Sequence, residues 1–90
     1  MSQLQSTISS RETNFDSSKM QEMKKFFGRN LRIELIKRRM SQTELATLVG
    51  VKPQTVSSWC NEREFPVFGT YCRICEVFDK SVSFFLKEAE

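Results

Sequence analysis

The fold is decided by residues 42–62, QTELATLVGVKPQTVSSWCNE. Within them, two short runs with apolar side chains at helical spacing meet at Gly50, a residue suited to the left-handed conformation that ends many helices. Ser41 precedes the first run, and Glu44 three residues later completes a capping box. Pro53 opens the second run, because proline at the first helical position sacrifices no hydrogen bond. The stretch predicts two short helices joined by a tight turn.

These two helices differ in the side chains that they present to solvent. The first faces the core with Leu45, Leu48 and Val49, and the second with Val56 and Trp59. The outer face of the second helix carries short hydrogen-bonding side chains: Gln54, Thr55, Ser57 and Ser58. A surface helix without a partner more often carries long charged residues of high helix propensity. Gln, Ser and Thr can bond base edges, so the pattern favours a helix-turn-helix unit that enters a DNA major groove.

Positive charge is concentrated in the same part of the chain. The 90 residues carry a net charge of +3, but residues 24–63 hold nine Lys or Arg against three Glu, a net charge of +6. The flanking residues 1–23 and 64–90 are neutral to acidic. A basic centre is typical of a polyanion partner such as nucleic acid, although a solvated surface rich in Lys and Arg would give the same count.

The N-terminal third gives two separate predictions. Residues 1–18 are dominated by Ser, Thr, Gln and Asn, so we expect a flexible polar tail that cannot offset the entropy of ordering. An arm that touches DNA or a protein partner is the functional alternative. Ser18 and Gln21 form a second capping box, and residues 19–30 are either a helical extension or the start of helix 1. Gly28 leaves both arrangements open, because glycine weakens a helix interior.

The C-terminal part predicts two further helices. Phe65-Pro66 ends the third helix, because proline cannot continue it. Residues 67–78 form a fourth helix, whose apolar side chains we expect to be buried to different degrees: Phe68, Tyr71, Cys72, Ile74, Cys75 and Phe78. A short fifth helix starts at Ser81 or Ser83, and residues 87–90 are a short tail. No segment alternates with a period of two, so the chain is predicted to be an all-α bundle of five helices.

Several classes of function are not supported. The chain has no His, no glycine-rich phosphate loop and no paired carboxylates, so we expect neither enzymatic activity nor a cofactor. Cys72 and Cys75 form a CxxC pair, but without His or a second pair this favours core packing over metal binding. No apolar run approaches the roughly 18 residues of a membrane span, and the polar start lacks the apolar core of a signal peptide. We therefore expect a cytoplasmic protein without a metal or a membrane contact.

The chain resembles the Cro/CI-like phage-repressor family of helix-turn-helix proteins, also called Xre-type. The resemblance covers residues 31–86 and rests on ordered pieces: Ser41-Gln42, Glu44-Leu45-Ala46, Gly50-Val51, Val56, Trp59, Pro66, Cys75 at a small core position, and residues 81–86 as a closing helix. It implies a lambda-repressor-like domain of five helices from a bacterium, phage or mobile element. It also implies that a homodimer binds a palindromic operator and acts as a repressor.

The resemblance assigns roles to individual residues. The positions that match DNA-contacting ones are Gln42, Thr43, Lys52, Pro53, Gln54, Thr55, Ser57, Ser58, Asn61 and Arg63. Gln42 would contact a phosphate at the start of helix 2, and Arg63 would reach a phosphate or the minor groove. Gln54 is the strongest candidate for base specificity. The dimer interface would form from apolar residues of the closing helix: Val82, Phe84 and Phe85.

Two positions depart together from the family pattern. Many members carry an Arg on helix 1 and a Glu directly after the Trp of helix 3, and these two residues form an internal ion pair. Here the same positions hold Leu35 and Cys60. Loss of both charges avoids leaving one of them buried and unpaired. We therefore expect Leu35 and Cys60 to touch.

The sequence thus predicts a sequence-specific regulator of transcription that binds double-stranded DNA. The alternative is a protein-interaction module, antitoxin-like or adaptor-like, in which DNA binding is secondary. A discrete complex on one sequence with a steep salt dependence would favour the first, and weak binding alike on every sequence would favour the second.

Overall fold

The computed structural model describes the backbone of residues 2–89 and the side chains of residues 17–89. Four α-helices and one 3₁₀ turn follow one another along the chain: α1 Ser2–Lys37, α2 Gln42–Val49, α3 Pro53–Cys60, α4 Phe68–Phe78 and the 3₁₀ turn Phe84–Leu86. No strand is formed by these residues. Nor is any of the described helices both long enough and apolar enough to cross a membrane.

Helix α1 is longer than the sequence indicated. It runs without interruption from Ser2 to Lys37, so the capping box expected at Ser18 is wrong and Gly28 lies inside a continuous helix. Side chains are exposed over residues 17–22, the first half-buried residue is Met23, and the first buried one is Phe27. Residues 17–22 of α1 therefore extend beyond the packed bundle. The expected flexibility of residues 1–18 stays a prediction, since a helical segment can be either mobile or rigid.

The two short helices follow the local signals closely. Ser41 and Glu44 exchange hydrogen bonds of 2.8 and 3.0 Å, the reciprocal pattern of a capping box. Gly50 closes α2 in the left-handed conformation at φ 79°, and Pro53 is the first residue of α3. These residues fix the angle at which α3 leaves the turn.

The fifth helix of the prediction is a single 3₁₀ turn. Its segment is held to the bundle by hydrogen bonds from side chains of other elements. The Asn30 amide donates to the carbonyl of Phe85 at 3.4 Å and to that of Lys87 at 2.8 Å. The Tyr71 hydroxyl donates to the carbonyl of Val82. Burial raises the pKa of Tyr71, which keeps this donor protonated.

An aromatic cluster forms the centre of the core. Phe27 of α1 lies at its middle, with ring centroids 5.9 Å from Trp59, 5.2 Å from Phe65 and 5.7 Å from Phe85. Edge-to-face contacts at such distances are the favoured geometry of aromatic rings. Tyr71 of α4 completes the cluster, 6.3 Å from Phe85. The cluster thus connects α1, α3, α4 and the closing turn.

Two residues expected in the core lie at the surface. Leu48 of α2 is 58% exposed and Phe68 at the start of α4 is 72% exposed. Helix α2 buries Leu45 and Val49 as expected, with Ala46 in place of Leu48. Short helices contact their neighbours over a narrow stripe, so not every apolar residue of the pattern is covered.

Candidate nucleic-acid interface

The inner face of α3 fixes the position of the helix. Val56, Trp59 and Cys60 are all buried, at 2% exposure or less. The Trp59 ring meets Phe27 edge to face. At Gly28 the two helices approach so closely that an added Cβ would lie 2.6 Å from the carbonyl oxygen of Trp59. Recognition of DNA needs such a rigid support, because base contacts require a fixed geometry.

The outer face of α3 presents the side chains that the sequence singled out. Lys52, Pro53 and Gln54, at the N-terminal end, are exposed. Three hydroxyl side chains further along are half-buried: Thr55, Ser57 and Ser58. The N-terminal residues of a recognition helix are those that reach base edges in this docking geometry. The fold therefore brings the predicted base-facing residues onto one accessible surface.

The two residues predicted to contact DNA at the C-terminal end of α3 differ in how available their side chains are. The Asn61 amide already donates to the Ser57 carbonyl at 2.9 Å and lies 3.3 Å from the Ser57 hydroxyl. Arg63 is exposed, and its guanidinium makes no hydrogen bond or ion pair within the described part of the chain. Arg63 is thus the more available of the two for a phosphate.

The start of α2 lies beside a groove of about 410 Å³. Gln42 and Thr43 are exposed there, and Gln42 lines the groove. The amide of Glu44 is already bonded by the capping box. A phosphate at this place would meet the Gln42 side chain at a helix N-terminus, where partial positive charge favours anions.

Leu35 and Cys60, which the sequence predicts to touch, lie in the same surroundings. Both belong to the buried core, and both line the groove beside α2. Direct contact between the two side chains stays a prediction. Burial raises the pKa of the Cys60 thiol, while the positive charge of Arg32 partly opposes this shift. The thiol is therefore neutral and behaves as an apolar group.

An ion pair between α1 and the end of α3 was not expected from the sequence. The Arg32 guanidinium lies 3.1 Å from the Glu62 carboxylate and also donates to the carbonyl of Cys60. Arg29 lies 3.9 Å from the same carboxylate. The spacing of Arg29 and Arg32 places two cations on one face of α1, but it does not identify Glu62 as their partner.

The remaining predicted site residues lie apart from α3. Phe85 is completely buried in its own core, so it is not available to a partner chain. Val82 is 49% exposed and Phe84 is half-buried. Cys75 is buried and Cys72 is half-buried, and no group of three metal-ligating side chains forms within the described residues.

Two short helices joined by a tight turn, the second with a buried inner face and a polar outer face, are the arrangement found in the helix-turn-helix class of DNA-binding proteins. Residues 29–85, from α1 through the 3₁₀ turn, match the helix-turn-helix family model HTH_3. The chain belongs to this family, of the Xre or Cro/CI type.

A solved structure is similar to the chain as well. It is the solution structure of the SOS-response transcriptional repressor LexA from Eubacterium rectale. The two are 28% identical with a TM-score of 0.71, over 76% of this chain and 72% of that chain. No curated protein matches the chain. The family and this likeness make the protein a DNA-binding regulator of transcription.

Proposed function

We propose that the protein is a sequence-specific repressor that reads the DNA major groove with α3. The observation that carries the proposal is the contrast between the two faces of α3. Its inner residues are buried, whereas Gln54 is exposed and the neighbouring hydroxyl side chains are half-buried. The similar structure is that of a repressor, which favours repression over activation of transcription.

The proposed contacts follow from the chemistry of each side chain. Gln54 bonds the edge of an adenine, which it can meet at two points, and Ser58 bonds a neighbouring base. Lys52 and Arg63 neutralise phosphates on either side of the groove. Gln42 holds a further phosphate at the start of α2. Asn61 contributes less, because its amide is already bonded to Ser57.

The proposed active form is a homodimer on a palindromic operator, in the cytoplasm of a bacterium or a phage-infected cell. Exposed apolar surface at Val82 and the outer part of Phe84 supports this pairing, since such surface is covered in many symmetric dimers. Phe85 has no role in the interface because it is inside the core.

Selection of bound sequences from a random DNA pool tests the proposal. We expect one enriched palindrome with half-sites about 10 base pairs apart, and a steep loss of affinity with salt. The variant Gln54→Ala should relax the preference at one base position and keep the thermal midpoint, because Gln54 is exposed. Weak binding of similar affinity to every DNA sequence would instead support the alternative function, a protein-interaction module.

A further inference from the structure

Each of the four α-helices is followed, within two residues of its last residue, by a residue in the left-handed conformation. These residues are Arg39 at φ 53°, Gly50 at φ 79°, Glu62 at φ 63° and Asp79 at φ 55°. Glycine is the usual residue at such a position, because any Cβ is unfavourable there. Only the end of α2 follows that preference, so the three other side chains call for an explanation.

Two of the three are explained within the fold. The Glu62 carboxylate forms the ion pairs with Arg32 and Arg29 that join α3 to α1. Asp79 is one of the few residue types that tolerate the left-handed region well. Arginine is not among these residue types, so an interaction of its side chain would explain why Arg39 occupies a position that suits glycine.

Arg39 makes no such interaction with the side chains and backbone that the structure describes. It is exposed, and none of the hydrogen bonds, ion pairs or ring contacts of residues 17–89 involves its guanidinium. The turn itself is held by the backbone, with Arg39 N bonded to the Ile36 carbonyl at 3.1 Å and Met40 N to the Leu35 carbonyl at 2.9 Å. A glycine would make the same backbone bonds. The arginine side chain thus makes no contact that stabilises the described fold.

The place of Arg39 suggests what its side chain is for. It lines the groove of about 410 Å³ together with Gln42, the first residue of α2. The other arginine of that groove, Arg32, is occupied by Glu62 and the Cys60 carbonyl. Arg39 therefore supplies the available guanidinium of the groove, on the side where Gln42 is proposed to meet a phosphate.

We propose that Arg39 binds a DNA backbone phosphate beside Gln42. The inference rests on the proposed function. Arginine suits this role because its planar guanidinium can donate two parallel hydrogen bonds to one phosphate. The contact with DNA would offset the energetic cost in the turn, which accounts for a left-handed arginine without a partner among the described residues.

The variant Arg39→Gly separates this role from a structural one. We expect its thermal midpoint to rise, because glycine suits the left-handed turn. We also expect weaker binding, several-fold on the selected operator and on random DNA alike. The slope of log affinity against log salt should fall by about 1. Arg39→Lys should keep the slope and lose part of the affinity.

Asp79→Gly is the matched control, because it makes the same backbone change at the end of α4. We expect it to raise the thermal midpoint and leave the salt slope unchanged. An unchanged slope in Arg39→Gly would overturn the proposal, as would a lowered midpoint. Phosphate contacts also act in non-specific binding, so a reduced slope on random DNA would support Arg39 even if selection found no operator and the proposed sequence-specific function failed.

Discussion

Helix α1 meets α3 at two places that differ in chemistry. Near Gly28 and Arg32 the contact is close and polar: the backbones nearly touch, and Arg32 pairs with Glu62. One turn further along α1, Leu35 lies in the apolar core together with Cys60. Many members of the family carry an ion pair at the second place. In this chain the charges joining the two helices lie one turn away from that position.

The difference shows how a small domain keeps an electrostatic link without burying it. The side chains of Arg32 and Glu62 remain 42% and 31% exposed, whereas Leu35 and Cys60 are only 6% and 2% exposed. Charges at a partly exposed edge keep much of their hydration, so they pay a smaller desolvation penalty than buried charges. The buried position is then free to be filled by apolar groups.

The largest effect is expected from a charge introduced at the buried position of Leu35 and Cys60. We expect Leu35→Arg alone, or Cys60→Glu alone, to lower the free energy of unfolding by roughly 3–5 kcal/mol, because each leaves a buried charge unpaired. The double variant should recover most of that loss. Urea unfolding of the four proteins measures the effect and gives the coupling between the two sites.

This cycle also tests whether Leu35 and Cys60 touch. Residues in contact couple by about 0.5–3 kcal/mol, whereas distant residues are additive. If the losses in the double variant simply added, the two positions would not form one site. A severely unfolded single variant would still leave recovery in the double variant as the deciding measurement.

Local signals predicted the central part of the fold well. The capping box at Ser41 and Glu44, the left-handed Gly50 and Pro53 at the start of α3 act over at most four residues, so the sequence alone contains them. Ser18 has a similar capping pattern, but the capping box predicted there was wrong. A capping residue also has to leave the helical conformation, and the sequence offered nothing at Ser18 that forces this.

The outer face of α3 was predictable because the inner face was. Once Val56 and Trp59 are assigned to the core, helical periodicity places Gln54 on the opposite side. Contacts between distant residues were not predictable in the same way. Arg32 and Glu62 are separated by 30 positions, and no local pattern joins them. The exposure of Phe68 was missed for the same reason, because periodicity does not show where a neighbouring element ends.

A second prediction concerns the close approach at Gly28. We expect Gly28→Ala to lower the free energy of unfolding by about 1–2 kcal/mol. The new methyl would lie 2.6 Å from the Trp59 carbonyl oxygen and 2.8 Å from Cγ of Glu62, and the gain in helix propensity offsets only part of the crowding. Gly69→Ala is the control, because a Cβ at Gly69 has no neighbour within 4 Å and should leave stability unchanged or raise it. If both variants changed the free energy of unfolding equally, the close approach of α1 and α3 at Gly28 would not contribute to stability.

The smallest effect should come from the charge of Glu62. We expect Glu62→Gln to lower the free energy of unfolding by about 0.5–1 kcal/mol at low salt, because partly exposed ion pairs are weak and Gln keeps the shape of the side chain. The loss should fade in about 1 M salt, where the Debye length is only about 3 Å. Glu64→Gln is the matched control, since Glu64 is exposed and forms no ion pair in the described part of the chain. If Glu62→Gln still lowered the free energy of unfolding in high salt, hydrogen-bond geometry rather than charge would join α1 to α3.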